Sequence, residues 1–130
     1  MKSEPKILSF KKETINKWRW FDKLEDAVFH LYIYKWRTPK PMPDKIKVTI
    51  GNLTDISSAT KKYTKKDFKD NPGLRKKSIY AELGIPRKHT QTMRYKPIND
   101  KDHWGIGNTY IPFQLLPEKK DRIAIFIEWH

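Results

Sequence analysis

Two stretches of the chain carry an aliphatic residue at every second position. The first, 45–50, alternates strictly between polar and apolar residues, and the second, 122–129, places three isoleucines on one face. A period of two places every second side chain on one face of an extended segment, so both stretches are predicted to be strands with one buried face. The apolar residues of these two strands, which we expect to share one core, are Ile46, Val48, Ile50, Ile123, Ile125 and Ile127.

Two other stretches also favour strands. Apolar residues at 7–10 predict a short first strand, and 27–36 is dense in β-branched and aromatic residues that suit a pleated surface. The region 22–37 also fits a helix, because apolar residues recur at helical spacing and Asp22 with Glu25 resembles a capping box. We favour a strand over 27–36 and keep the helix as the alternative.

Proline and glycine interrupt the chain at several points. Three prolines between 39 and 43 predict a stiff connector, which neither a helix nor a central strand can cross. The stretch 78–83 alternates and is predicted to be a strand that Gly84 and Pro86 end.

The later part of the chain is less regular. We expect 87–108 to be a loop with one strand near 92–95, and a new element to begin at 110–113. The spacing from Tyr32 to Pro39 recurs from Tyr110 to Pro117, and a strand pattern follows in both places. Two such units would suit a small duplicated barrel or sandwich, although any two hairpins can share this spacing.

The helical signal is concentrated in 54–69. Ile56, Ala59 and Tyr63 recur at helical spacing, and Thr64 with Asp67 can cap a second short turn. The turn sequence at 71–73 then ends the helix. The elements together predict a single α+β, mainly β domain over 1–130, built as an antiparallel sheet or partial barrel with a basic helical or loop excursion.

The composition narrows the classes of protein. The chain has 130 residues and no cysteine, which excludes disulfides, thiolate zinc sites and cysteine nucleophiles. No apolar run approaches the roughly 18 residues of a membrane span, and the N-terminus lacks the apolar stretch of a signal peptide. We therefore expect an intracellular, cytoplasmic protein without a membrane partner, and the sequence leaves a homo-oligomer open.

Positive charge dominates one part of the chain. The net charge is +13, and the segment 61–97 holds twelve basic residues against three acidic ones. Such a block attracts phosphate through counterion release, so a nucleic acid, either DNA or RNA, is the predicted partner. A solubilising charged surface is the alternative.

The candidate nucleic-acid contacts are the cations of this block and one earlier triplet in which two cations flank a tryptophan. Single-strand binders combine cations with aromatic stacking platforms in this way. Within the block, four lysines recur at helical spacing and would share a face. The candidates are Lys17, Trp18, Arg19, Lys61, Lys62, Lys65, Lys66, Lys69, Arg75, Lys76, Lys77, Arg87, Lys88, Arg94 and Lys96.

Two other functions stay open beside non-catalytic binding. In a small metal-free ribonuclease, His89 would exchange protons while Arg94 and Tyr95 completed the site. In a structural protein of a nucleoprotein particle or virion, the charge would serve assembly. The four histidines lie far apart without paired-ligand spacing, so no metal or cofactor is expected. His30 and Trp36 are both expected to be core residues.

Overall fold

Eight antiparallel strands close into a barrel in the computed structural model, which describes residues 4–52, 63–98, 104–116 and 120–130. The strands are β1 (Lys6–Glu13), β2 (Lys17–Leu24), β3 (Ala27–Tyr34), β4 (Lys45–Gly51), β5 (Ile79–Lys88), β6 (Thr92–Pro97), β7 (Ile106–Pro112) and β8 (Ile123–Trp129). One short helix, α1 (Lys65–Asp70), precedes β5, and 3-10 helices occupy Lys35–Arg37, Pro72–Lys76 and Phe113–Leu115.

The strands follow one another around the barrel in the order β1-β2-β3-β7-β6-β5-β8-β4, and β4 pairs with β1 to close the ring. The fold is therefore mainly β, as predicted. The structure is a closed barrel, whereas the prediction was an antiparallel sheet or a partial barrel. Closure removes the unpaired strand edges that an open sheet would present. No helix in the described part of the chain is long and apolar enough to cross a membrane.

The interior of the barrel is the hydrophobic core. The six apolar residues that were predicted to share one core have no exposed surface. The strands predicted over 45–50 and 122–129 are confirmed as β4 and β8. These strands are direct neighbours, with Val48 opposite Ile127 and Ile50 opposite Ile125. Burial of this kind typically stabilises a fold by about 1.5–3 kcal/mol for each large aliphatic side chain.

The hairpin of β2 and β3 differs from the sequence-based expectation. The helical alternative for 22–37 is wrong, because β2 and β3 pair in register from Lys17 and Tyr34 to Leu24 and Ala27. The strand predicted over 27–36 ends at Tyr34 and continues as a 3-10 helix. We did not predict β2, although Lys17 and Arg19 alternate with Trp18 and Trp20 in the manner of a strand with one buried face.

Two boundaries in the second half of the barrel were also placed wrongly. β5 passes through Gly84 and Pro86 instead of ending there, and its pairing with β6 shifts register between Gly84 and Arg87. This bulge accommodates the proline, which cannot donate a ladder hydrogen bond. Tyr110 lies near the end of β7, not at the start of a new element. The strand predicted near 92–95 is confirmed as β6.

The predicted helix is confirmed over its last turn. Thr64 and Asp67 form the predicted capping box, in which the Thr64 hydroxyl accepts a hydrogen bond from the Asp67 amide and the Asp67 carboxylate accepts one from the Thr64 amide. The rest of the prediction, over 54–62, lies outside the described residues.

The order of the strands contains an internal two-fold relation. Suppose that β1, β2, β3 and β4 are exchanged with β5, β6, β7 and β8, respectively. Every pair of neighbouring strands in the ring then becomes another pair of neighbouring strands. A 3-10 helix follows the third strand in both halves. The repeated spacing from Tyr32 and from Tyr110 falls on these equivalent strands, β3 and β7. The topology therefore supports the interpretation of two similar units.

Candidate nucleic-acid interface

Alternation along the strands places a set of basic and aromatic side chains on the outer wall formed by β2, β3, β7, β6 and the end of β5. Phe29, Leu31 and Ile33 of β3 face the core, so the residues between them face outward. The registers of the neighbouring strands extend this outer set. We call it the basic–aromatic face; its members are Lys17, Arg19, Phe21, His30, Tyr32, Tyr34, Arg87, Arg94, Lys96, Asn108 and Tyr110.

One row of the basic–aromatic face crosses five strands. Phe21 lies opposite His30, His30 opposite Tyr110, Tyr110 opposite Arg94, and Arg94 opposite Arg87. Like charges directly opposite each other on neighbouring strands destabilise a sheet. The Arg87–Arg94 pair therefore gains if an anion binds between or beside the two guanidinium groups.

His30 is fixed within this row by two contacts. Its Nδ1 accepts a hydrogen bond of 3.1 Å from Arg19 Nε, and its ring stacks on Tyr110 with centroids 4.3 Å apart and planes 2° apart. Burial, followed by the nearby charges of Arg19 and His89, lowers the pKa of His30 to about 4. His30 is therefore neutral at pH 7, and its proton is carried by Nε2.

One groove on this face runs between the β1–β2 turn and the end of β6. Its volume is about 820 Å³, and no carboxylate is among the described residues that line it. The Lys17 amino group lies 5.1 Å from the ring centroid of Tyr34 and 5.9 Å from that of Tyr32. Lys96 and Asn108 are also part of the lining. The groove therefore combines cations, tyrosine rings and a side-chain amide.

A second groove lies on the other side of Tyr110. Its volume is about 450 Å³, and both His30 and His89 line it. The His89 ring meets the edge of Tyr110, with centroids 5.4 Å apart. Glu25 and Asp26 also contribute to the wall, so this groove suits phosphate less well than the larger one does.

No described carboxylate forms an ion pair with a cation of the basic–aromatic face. Within the described ranges, ion pairs join Lys35 to Glu13 and Lys47 to Glu128, and neither pair involves the face. The Arg94 side chain also keeps a buried Nε with no hydrogen-bond partner. Unpaired cations gathered on one surface create a positive potential that favours polyanions.

The second basic surface is α1 with the 3-10 helix after it, which lie against the barrel end where β3 and β8 finish. The anchor is Arg37, which is 3 % exposed and donates hydrogen bonds to the carbonyl oxygens of Arg75, Lys77 and Ser78. Trp129 Nε1 also donates to the first two of these carbonyls. The exposed lysines of this surface are Lys65, Lys66, Lys69, Lys76 and Lys77.

A chain of aromatic contacts joins the two basic surfaces. Tyr34 of the face stacks on Trp36, with centroids 6.0 Å apart, and Trp36 packs against Phe68 of α1 at 5.8 Å. The Lys65 amino group lies 5.9 Å from the Trp36 ring. Trp36 is half-buried and bridges the surfaces, whereas we had expected it in the core.

The remaining candidates from the sequence fall into several places. Tyr95 is fully buried, and its hydroxyl donates to the Lys120 carbonyl, so it cannot meet a substrate beside His89. Trp18 is half-buried on the side of β2 opposite Lys17 and Arg19, packed against Phe10. His89 and Lys88 are exposed at the end of β5. Lys61 and Lys62 lie outside the described residues.

Several members of the face were not predicted from the sequence, and one was assigned to the core. His30 was expected in the core, but it faces outward because the buried positions of β3 are the odd-numbered ones. Tyr32, Tyr34, Asn108 and Tyr110 were not proposed as contacts. The alternation of the two tyrosines with Leu31 and Ile33 was the available signal, but recognising it required the strand and its buried side to be known.

Comparison with known proteins adds no assignment. Among the described residues no group of three or more histidines or acidic residues could hold a metal ion. No protein-family model matches the chain, and no curated protein matches its sequence significantly.

Proposed function

We propose that the protein binds nucleic acid without cleaving it and that the basic–aromatic face is the main contact surface. The observation that carries this proposal is the grouping of Lys17, Arg87, Arg94 and Lys96 on one wall, interleaved with tyrosines and without carboxylate partners among the described residues. Cations contact phosphate while aromatic rings contact bases or sugars. The lysines of α1 and the following 3-10 helix extend the same positive surface.

The geometry favours binding over ribonuclease activity. A metal-free ribonuclease needs both a base and an acid near the phosphate. The neutral His30 carries its proton on Nε2 and has a pKa of about 4, so at pH 7 it is neither a free base at that atom nor a charged acid. Tyr95 is in the core. Of the two partners that the sequence suggested for His89, Tyr95 is therefore lost, and Arg94 stays on the outer face.

A pair of charge-matched variants tests the proposal. The first replaces Lys17, Arg87, Arg94 and Lys96 of the face with Gln. Because about 0.7 counterions are released for each phosphate contact on a single strand, its log–log salt slope should fall by up to about 3. The control also removes four charges, but from the opposite wall, which consists of β1, β4 and β8. It replaces Lys6, Lys45, Lys47 and Arg122 with Gln and should leave the affinity nearly unchanged.

Binding is measured by fluorescence anisotropy with labelled DNA and RNA at two salt concentrations, and the recovered oligonucleotides are checked for cleavage. Equal losses in the two variants would mean that only net charge matters and would refute the proposed surface. Cleavage by the parent protein that disappears in His89→Ala would favour the ribonuclease alternative instead.

A further inference from the structure

The larger groove of the basic–aromatic face has a floor that differs from a regular sheet. The pairing of β3 with β7 shifts register between Leu31 and Ile33, so Gly107 and Asn108 both lie near Tyr32. Such bulges re-aim side chains and are frequent beside binding sites. A Cβ at Gly107 would lie 3.4 Å from Lys17 Cδ and from Tyr32 Cβ, which is about van der Waals contact. The bulge therefore brings the Gly107 backbone close beneath the side chains of Lys17 and Tyr32.

Two successive outward positions of β3 supply aromatic rings to the groove. Tyr32 and Tyr34 are only partly buried, and the Lys17 amino group lies near both rings. A lysine beside aromatic rings can hold the phosphate of a nucleotide whose base stacks on them. Lys96 offers a second cation on the other side of the groove.

The rim of the groove carries an apolar residue in a fixed turn. Ile15 is 97 % exposed and lies at the tip of the β1–β2 turn. The turn is closed by the Thr14 hydroxyl, which accepts from the Lys17 amide at 3.1 Å and donates to the Lys17 carbonyl at 3.0 Å. A single exposed isoleucine needs no explanation by itself. Here it adds an apolar contact at the edge of a groove that already holds tyrosines.

The floor also offers a group that can recognise a base edge. Asn108 presents a side-chain amide, with both a donor and an acceptor, to the groove. In a duplex the bases are stacked and paired, so neither their faces nor their pairing edges can reach tyrosine rings or this amide. In a single strand both are free.

We propose that this groove holds an unpaired nucleotide and that the protein therefore prefers single-stranded nucleic acid to duplex. The inference rests on the proposed nucleic-acid binding and names the class of ligand for the same face. The base stacks against Tyr32 or Tyr34 and meets Asn108, while Lys17 and Lys96 contact the flanking phosphates. The mixture of rings and cations argues against an acidic peptide, whose carboxylates would use only the cations.

The test compares one sequence as a single strand and as a duplex, with the parent protein and a double variant, Tyr32→Leu with Tyr34→Leu. The parent protein should bind the single strand at least tenfold more tightly at equal salt. The double variant should lose at least tenfold affinity for the single strand, since stacked aromatics contribute strongly to each bound base. Its affinity for the duplex should change less than twofold. Phe126→Leu, an outward aromatic on the opposite wall, is the matched control.

Each outcome separates this inference from the proposed function. Equal affinity for single strand and duplex, with no effect of the tyrosine changes beyond that of Phe126→Leu, would refute the groove while leaving phosphate binding by the face intact. Displacement of the oligonucleotide by polyglutamate of equal charge would also refute it, because charge alone would then suffice. Failure of the parent protein to bind either form would refute the proposed function itself.

Discussion

Arg37 is expected to be the residue that fixes the basic segment 65–77 to the barrel. Its guanidinium donates hydrogen bonds of 2.9, 2.8 and 3.2 Å to three carbonyl oxygens, and its central carbon lies 4.4 Å from the Phe68 ring centroid. Burial, with the nearby charge of Arg75 as a smaller cause, lowers the pKa of Arg37 to about 10. It is therefore still protonated at pH 7, and all three bonds have a charged donor.

The cost of replacing Arg37 with Met can be worked from these contacts. A hydrogen bond from a charged group contributes about 1.5–3 kcal/mol. Two of the three carbonyls, those of Arg75 and Lys77, keep Trp129 Nε1 as a donor, so only the Ser78 carbonyl loses its side-chain donor. Removing the buried charge also removes its desolvation penalty, which partly offsets the loss of the hydrogen bonds. We expect Arg37→Met to lower the free energy of unfolding by about 2–4 kcal/mol.

Urea denaturation followed by far-UV circular dichroism measures this change. Arg37→Lys should recover only part of the loss, because one ammonium cannot reproduce a planar fork that reaches three carbonyls. Arg122→Met, at an exposed arginine, is the control and should stay within about 0.5 kcal/mol of the parent. If Arg37→Met is as stable as this control, the anchoring role is wrong.

Two further predictions concern single residues near the face and the anchor. Because the pKa of His30 is about 4 in the fold and 6.5 as a model value, only the unfolded state takes up this proton as pH falls from about 6.5 to 4. The free energy of unfolding of the parent should therefore fall over that range, and that of His30→Gln should fall by about 1 kcal/mol less. The pKa difference alone corresponds to about 3 kcal/mol, and the partial exposure of His30 reduces this value. Equal pH dependence of urea midpoints in the two proteins would contradict this. Gly105→Ala should cost about 2 kcal/mol or more, because Gly105 has a φ of +77° and an added Cβ would lie 2.5 Å from Arg37 Cγ. Gly73→Ala is the matched control, since its added Cβ would meet only Asn71 Oδ1 at 3.3 Å, and a thermal midpoint equal for both variants would refute the close-packing argument.

The strands that could be predicted best from the sequence carry an aliphatic residue at every second position. Ile46 and Ile125 belong to strands in which every second residue is aliphatic, and that pattern has one structural interpretation. β2 was missed because Lys17, Trp18 and Arg19 were interpreted as a nucleic-acid-binding triplet, although their alternation also fits a strand. Barrel closure could not be predicted, since it depends on pairing between β4 and β1, which are far apart in the chain and carry no local signal for each other.

Of the candidate site, only the basic residues were predicted from the sequence. Lys17, Arg94 and Lys96 were named from the composition of their neighbourhoods, but nothing in a linear pattern brings β2 beside β3 and β6 beside β7. His30 was misassigned because an apolar strand does not reveal which of its two faces is buried. The tyrosines of β3 and β7 became visible as one surface only through the barrel order.

Amide chemical-shift mapping can show directly whether the wall of β2, β3, β7, β6 and the end of β5 is the nucleic-acid surface. An unlabelled single-stranded oligonucleotide is titrated into ¹⁵N-labelled protein at low and high salt. We expect salt-sensitive shifts at Lys17, Tyr32, Tyr34, Lys96 and Asn108, with β4 and β8 nearly unchanged. Shifts confined to β4 and β8, or no shifts at either salt concentration, would contradict it.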